Sequence, residues 1–105
     1  MKISSVLTTV LSIMLSLPFT ASANDKGVVL VTGANRGLGL EFVQQLQAKG
    51  YEVIGTARSP QKAVELEATG ARVEQLDVAD AASVAALAER LVDTPIDILI
   101  NNAGM

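Results

Sequence analysis

Val28-Val29-Leu30-Val31-Thr32-Gly33-Ala34-Asn35-Arg36-Gly37-Leu38-Gly39 begins with four apolar residues, breaks into a glycine-rich segment and resumes as an amphipathic pattern. Four apolar residues in a row suit a strand buried on both faces. Glycines at 33, 37 and 39 let the backbone turn sharply and approach a ligand with no Cβ in the way. The helix that follows presents unpaired N–H groups and the positive end of its dipole to the turn. The stretch therefore reads as strand, anion-binding turn, helix, and a pyrophosphate suits the turn best.

Spacing separates the nucleotide classes. A P-loop places four residues between its glycines and follows them with Lys-Ser or Lys-Thr, and that Lys is missing. The G-x-G-x-x-G fingerprint is not matched either, because Phe42 stands where its third glycine would fall. What remains is Thr32-Gly33-x-x-x-Gly37-x-Gly39.

Outward from this stretch, short apolar runs alternate with helical periodicity, the pattern of parallel strands joined by crossover helices. The first helix is expected from about Leu38 to Lys49, with Leu38, Phe42, Val43 and Leu46 on one face and Gly50 as its stop. Tyr51 to Ala57 reads as the second strand. Ser59-Pro60 opens a helix that runs to about Thr69, where Gly70 closes it. Arg72 to Leu76 is the third strand. Asp80 caps a third helix whose Val84, Leu87, Ala88 and Leu91 are spaced for a buried face. Ile96 to Ile100 is the fourth strand. Right-handed crossovers then give an α/β fold, a Rossmann-type doubly wound parallel sheet in the order 3-2-1-4, with ligands at the carboxyl ends of strands 1 and 4.

The residues with chemistry fall on that edge. Arg58 follows the second strand, where dinucleotide-binding folds read the 2′ position of the adenosine ribose. An acid there would bond the hydroxyl and repel a 2′-phosphate, but Ala57-Arg58 supplies none, and Glu52 lies at the wrong end of the strand. Arg36, beside the second glycine, can reach the same phosphate, since guanidinium groups suit bidentate phosphate contacts. The structural alternative is two exposed arginines without a partner. Their joint placement favours NADP over NAD. Asp77-Val78 ends the third strand, and Asp77 could simply solvate the start of the next helix. Asn101-Asn102-Ala103-Gly104 follows the fourth strand, where paired Asn side chains can also bond the strand backbones.

These four motifs, in this order and over residues 27 to 105, resemble the short-chain dehydrogenase/reductase family, and the phrases around Gly33 and Asn101 are similar to its small NADP-dependent carbonyl reductases. The resemblance implies that Asp77 bonds the adenine amino group, that Val78 contacts the ring and that Ala103-Gly104 leaves room for a cofactor ribose. The expected cofactor-binding set is Thr32, Gly33, Asn35, Arg36, Gly37, Leu38, Gly39, Arg58, Asp77, Val78, Asn101, Asn102, Ala103 and Gly104. In the family, a Ser and Tyr-x-x-x-Lys in the following half, with a further Asn upstream of them, carry hydride-linked proton transfer. Tyr51 is the only tyrosine, with Gly55 four residues on, and takes no catalytic role. No catalytic residue is assigned. The expectation is the amino-terminal half of an NADP-dependent oxidoreductase acting on a carbonyl or alcohol substrate, truncated after strand 4 and inactive alone. Homo-oligomer contacts would come from the missing half. The alternatives are a non-catalytic NADP-binding or interaction module and a regulator built on a reductase fold.

The first 23 residues read as a secretory signal: Lys2, an apolar stretch from Val6 to Leu17, Pro18, then Ala21-Ser22-Ala23 at the cleavage site. That implies export, with a cytoplasmic location as the alternative, and residues 24–105 as the cofactor-binding domain. The apolar stretch is short for a stable membrane span. Among 105 residues, eight Lys and Arg oppose eleven Asp and Glu, for a net charge of −3, and aromatics make up 3%. Such a chain is poorly suited to nucleic acid. With no Cys and no His, disulfides, thiolate chemistry and the usual zinc sites are excluded.

Overall fold

A computed structural model describes residues 26–104. The leader reading lies outside the described residues. β1 (Val28–Val31), β2 (Glu52–Ala57), β3 (Arg72–Gln75) and β4 (Ile98–Ile100) form one parallel sheet in the order β3-β2-β1-β4. The crossovers are α1 (Gly37–Ala48), a 3-10 turn at Pro60–Lys62 followed by α2 (Val64–Ala68), and α3 (Ala81–Arg90). This is the expected Rossmann-type order, with the winding reversing between β1 and β4.

Alternate strand residues feed the two faces. Val29, Val31, Val53 and Ala57 pack with Leu40, Val43, Ala63 and Leu66 into the main core beneath α1 and α2. Ile54 is fully buried as well, so β2 is covered on both sides. Such continuous burial is what the unbroken apolar runs predict. Among the described residues β4 pairs with β1 alone, and Leu99, in register with Leu30, is 59% exposed.

Three expectations are corrected. The segment from Ser59 to Thr69 is not one helix: Ala63, at φ −87° and ψ 61°, interrupts it, and the Ser59 side chain caps nothing. The break drives Ala63 and Leu66 into the core, Leu66 against Gly55. Second, α3 does not bury Val84 and Ala88; its inward residues are Ser83 and Leu87, and Leu91 is half-buried. Ser83 accepts the Asp77 N–H and donates to Gln75 at the end of β3, and these two bonds turn Ser83 inward against the apolar periodicity. Third, Leu38 is 56% exposed, while Gly39, Leu40 and Val43 form the buried face of α1.

Asp80 does cap α3, its Oδ1 accepting from the Ala82 N–H at 3.0 Å. At the amino-terminal end of the strands, the Asp97 carboxylate accepts the Val28 N–H at 2.8 Å and ties β4 to the start of β1. At the edge strand, Glu74 accepts from Arg72 at 2.8 Å and from Arg90 at 2.6 Å, joining β3 to α3. Partial burial pushes the Glu74 carboxyl up, but the two arginines outweigh it and hold its pKa below the ordinary 4.5.

Candidate functional site

The glycine-rich turn is pinned from both sides. Thr56, buried on β2, accepts the Gly33 N–H on its hydroxyl at 3.3 Å and the Ala34 N–H on its carbonyl at 2.8 Å. From β4, the Thr32 N–H donates to the Ile100 carbonyl at 3.0 Å. The Thr32 hydroxyl then accepts the backbone N–H groups of Asn102 and Ala103, both at 3.0 Å, and donates to Asn101 Oδ1 at 3.3 Å. Asn102 Nδ2 donates to the Gly33 carbonyl at 3.0 Å. Two motifs about seventy residues apart in sequence are thereby locked into one wall.

Gly33 needs its glycine twice over, for a φ of +61° and because a Cβ would come within 3.0 Å of Ala103. At Gly39 the reason is packing. A Cβ there would overlap the Gly33 carbonyl and sit 2.7 Å from Asn102 Nδ2, so Gly39 lets α1 close on the turn. A Cβ at Gly37 would meet nothing within 4 Å, so that side of the turn faces open space. Here α1 starts, and the N–H groups of its first turn have no intrahelical carbonyl to bond. The helix begins at Arg36 with no side-chain cap and no acid in its first turn, which leaves those donors for an anion.

This turn forms the floor of a cavity of about 860 Å³ at the carboxyl edge of the sheet. Every expected site residue lines it except Thr32, Gly39 and Asn101. Those three serve the turns themselves: the Thr32 hydroxyl bonds Asn101, Asn102 and Ala103, and Gly39 packs on the Gly33 carbonyl. Leu38, missing from the core, is on the cavity instead. Asp77 makes an Asx turn, Oδ1 accepting from the Ala79 N–H at 3.0 Å, while its carboxylate stays on the lining.

Sequence reasoning missed Ser59, Lys62, Leu76 and Ala79, which also line the cavity. Reading residues 59–69 as one helix hid Lys62; its place four residues beyond Arg58 is the signal that could have revealed it. Arg72 and Arg90 are committed to Glu74, and Lys26 lies over the Tyr51 ring at 6.0 Å. Arg36, Arg58 and Lys62 make no ion pair among the described residues, and all three line this cavity. Among the described residues Asp77 is the sole carboxylate there. An acidic chain has concentrated positive charge beside a set of free N–H donors, which suits an anion of several charges.

A smaller groove of about 460 Å³ lies at the opposite edge, between Tyr51, Glu52 and Arg72, with neither a glycine-rich turn nor a cation cluster. Among the described residues no group of His, Cys, Asp and Glu could hold a metal ion, and no helix is long and apolar enough to cross a membrane.

The model of the short chain dehydrogenase family matches residues 27–105. A (+)-neomenthol dehydrogenase of Arabidopsis thaliana is 42% identical, over 72% of this chain and 30% of that protein. Among solved structures, a menthone neomenthol reductase from Mentha piperita is 40% identical with a TM-score of 0.66, over 74% of this chain and 31% of that one. A Burkholderia multivorans chain of the short-chain dehydrogenase/reductase class, solved with bound NADP, is 34% identical with a TM-score of 0.70, over 74% of this chain and 36% of that one. The chain spans about three-tenths of the length of the first curated relatives it matches.

Proposed function

The chain belongs to the short-chain dehydrogenase family, and from that membership we propose that its sheet-edge cavity binds NADP. The observation that carries this reading is the meeting of Arg36, Arg58 and Lys62 on one cavity with no acid at the end of β2. An Asp or Glu at that end would repel a 2′-phosphate; three unpaired cations attract one. The uncapped start of α1 takes the pyrophosphate between Gly33 and Gly37. Asp77 and Val78 take the adenine, and Asn102, Ala103 and Gly104 border the second ribose.

When bound, the cofactor supplies or accepts the hydride of carbonyl–alcohol interconversion. In the complete protein that interconversion is the proposed activity, on a small carbonyl or alcohol substrate. The residues of this chain bind and orient, and none of them moves a proton to substrate. Residues 24–105 alone are accordingly expected to bind NADP and to reduce nothing. The test is calorimetric titration of the full-length protein with NADP and with NAD. Tighter binding of NADP by tenfold or more supports the assignment, and equal or inverted affinities reject it. NADPH oxidation with a ketone by purified residues 24–105 would reject the division of labour.

Export is proposed from the leader alone. Bulky replacements of Ala21 and Ala23 are expected to block processing, and unchanged processing would remove the proposed cleavage site.

A further inference from the structure

We infer that Gln75, acting with Ser83, is a positioning residue that couples the Arg58 wall of the cavity to the Asp77–Val78 wall, so that 2′-phosphate and adenine recognition work as a unit. This rests on the NADP reading above and adds residues that do not line the cavity.

The link is a continuous chain of hydrogen bonds with a fixed direction. The Asp77 N–H donates to Ser83 Oγ at 2.9 Å, and the Ser83 hydroxyl donates to Gln75 Oε1 at 3.0 Å. Gln75 Nε2 donates to the Arg58 carbonyl at 3.3 Å. The Arg58 carbonyl can only accept, so the NH₂ of Gln75 must face it, which leaves Oε1 for Ser83. A flipped amide would set two oxygens face to face at the Arg58 carbonyl and take from the Ser83 hydroxyl proton its acceptor on Gln75.

Both ends of the link are anchored independently of the loops they join. Gln75 is the last residue of β3, and its carbonyl accepts from Arg90 Nη2 at 2.8 Å, while Glu74 holds Arg90. Ser83 is 8% exposed and stands in a helix whose neighbouring residues are mostly alanine. Alanine is the better helix former and Ser the poorer, so an inward hydroxyl there gives up propensity for a directed bond. The two loops have no other side-chain tie among the described residues. β2 ends at Ala57, so Arg58 leaves the sheet before its guanidinium reaches the cavity, and its backbone direction decides where that charge points.

The experiment compares adenosine 2′,5′-bisphosphate with adenosine 5′-monophosphate on the full-length protein, as wild type, Gln75→Met and Ser83→Ala. Both ligands are titrated on the same preparation, so any unfolded fraction cancels in the ratio of affinities. Gln75→Met removes the donor to Arg58 without adding charge, and is expected to lower the bisphosphate preference three- to tenfold. Ser83→Ala, which touches neither Arg58 nor the ligand, is expected to lower it at least twofold. A wild type that prefers the bisphosphate, with both variants keeping that preference, would overturn the coupling alone. A wild type with no preference would overturn the NADP reading, and the coupling with it.

Discussion

Replacing Thr32 by Val keeps the shape of the side chain and deletes one oxygen that accepts two backbone N–H groups. Thr32 is 5% exposed, so water cannot readily take its place. Each N–H left without a partner costs about 1–3 kcal/mol when buried. The Asn102 N–H keeps the Ile100 carbonyl at 3.1 Å, so the half-buried Ala103 N–H bears most of the loss, for a total of about 1–2 kcal/mol. That is a large share of the roughly 5–15 kcal/mol that holds a domain folded. Urea unfolding followed by circular dichroism should show the midpoint of Thr32→Val shifted down by about 0.5–1 M with little change in slope. Thr32→Ser, which keeps the oxygen, should stay much closer to wild type. If Val lay within about 0.5 kcal/mol of wild type, or Ser fell as far as Val, the hydroxyl would not be the staple between the turns.

Gly39→Ala must push α1 off the Gly33 carbonyl, at about 1–3 kcal/mol, and should weaken NADP binding more than tenfold in a calorimetric titration. Gly37→Ala meets nothing, and its cost should be limited to the roughly 1–2 kcal/mol of a left-handed backbone. Arg58→Ala should cost NADP about tenfold or more in affinity and NAD less than twofold; equal losses would show that Arg58 does not read the 2′ position. Glu74 has a folded pKa below its ordinary value, so its contribution is fully present above about 4.5 and is lost as pH falls through the folded pKa. Both arginines are partly exposed, which limits that contribution to about 1 kcal/mol. Thermal melts of Glu74→Gln should be less stable near pH 7 and should converge on wild type as the pH falls through the folded pKa.

The sheet order was legible because the strands are short apolar runs, with Gly50 and Gly70 closing the segments that lead into β2 and β3. Most of the cavity lining was legible because its residues sit at strand ends, where the topology must gather them. Legibility failed where polar contacts or tertiary packing outrank periodicity. Ser83 lies off the apolar stripe expected for α3, yet its bonds with Gln75 and Asp77 turn it inward, and Val84 is left 46% exposed. Ser59-Pro60 carries a sound helix-start signal, but the demand of the core for Ala63 and Leu66 splits that helix and brings Lys62 to the cavity. Thr32, Gly39 and Asn101 belong to the same motifs but do not line the cavity; their contacts join the two turns.

The central claim is that the carboxyl edge of the sheet is an NADP site. Amide chemical shifts of the ¹⁵N-labelled full-length protein, followed during titration with NADP, test it residue by residue. The account predicts saturable shifts at Gly33, Arg36 to Leu38, Arg58, Asp77, Val78 and Asn102 to Gly104, and none around Tyr51 and Arg72 at the opposite edge. Shifts gathered at that opposite edge, or none anywhere at millimolar NADP, would contradict it.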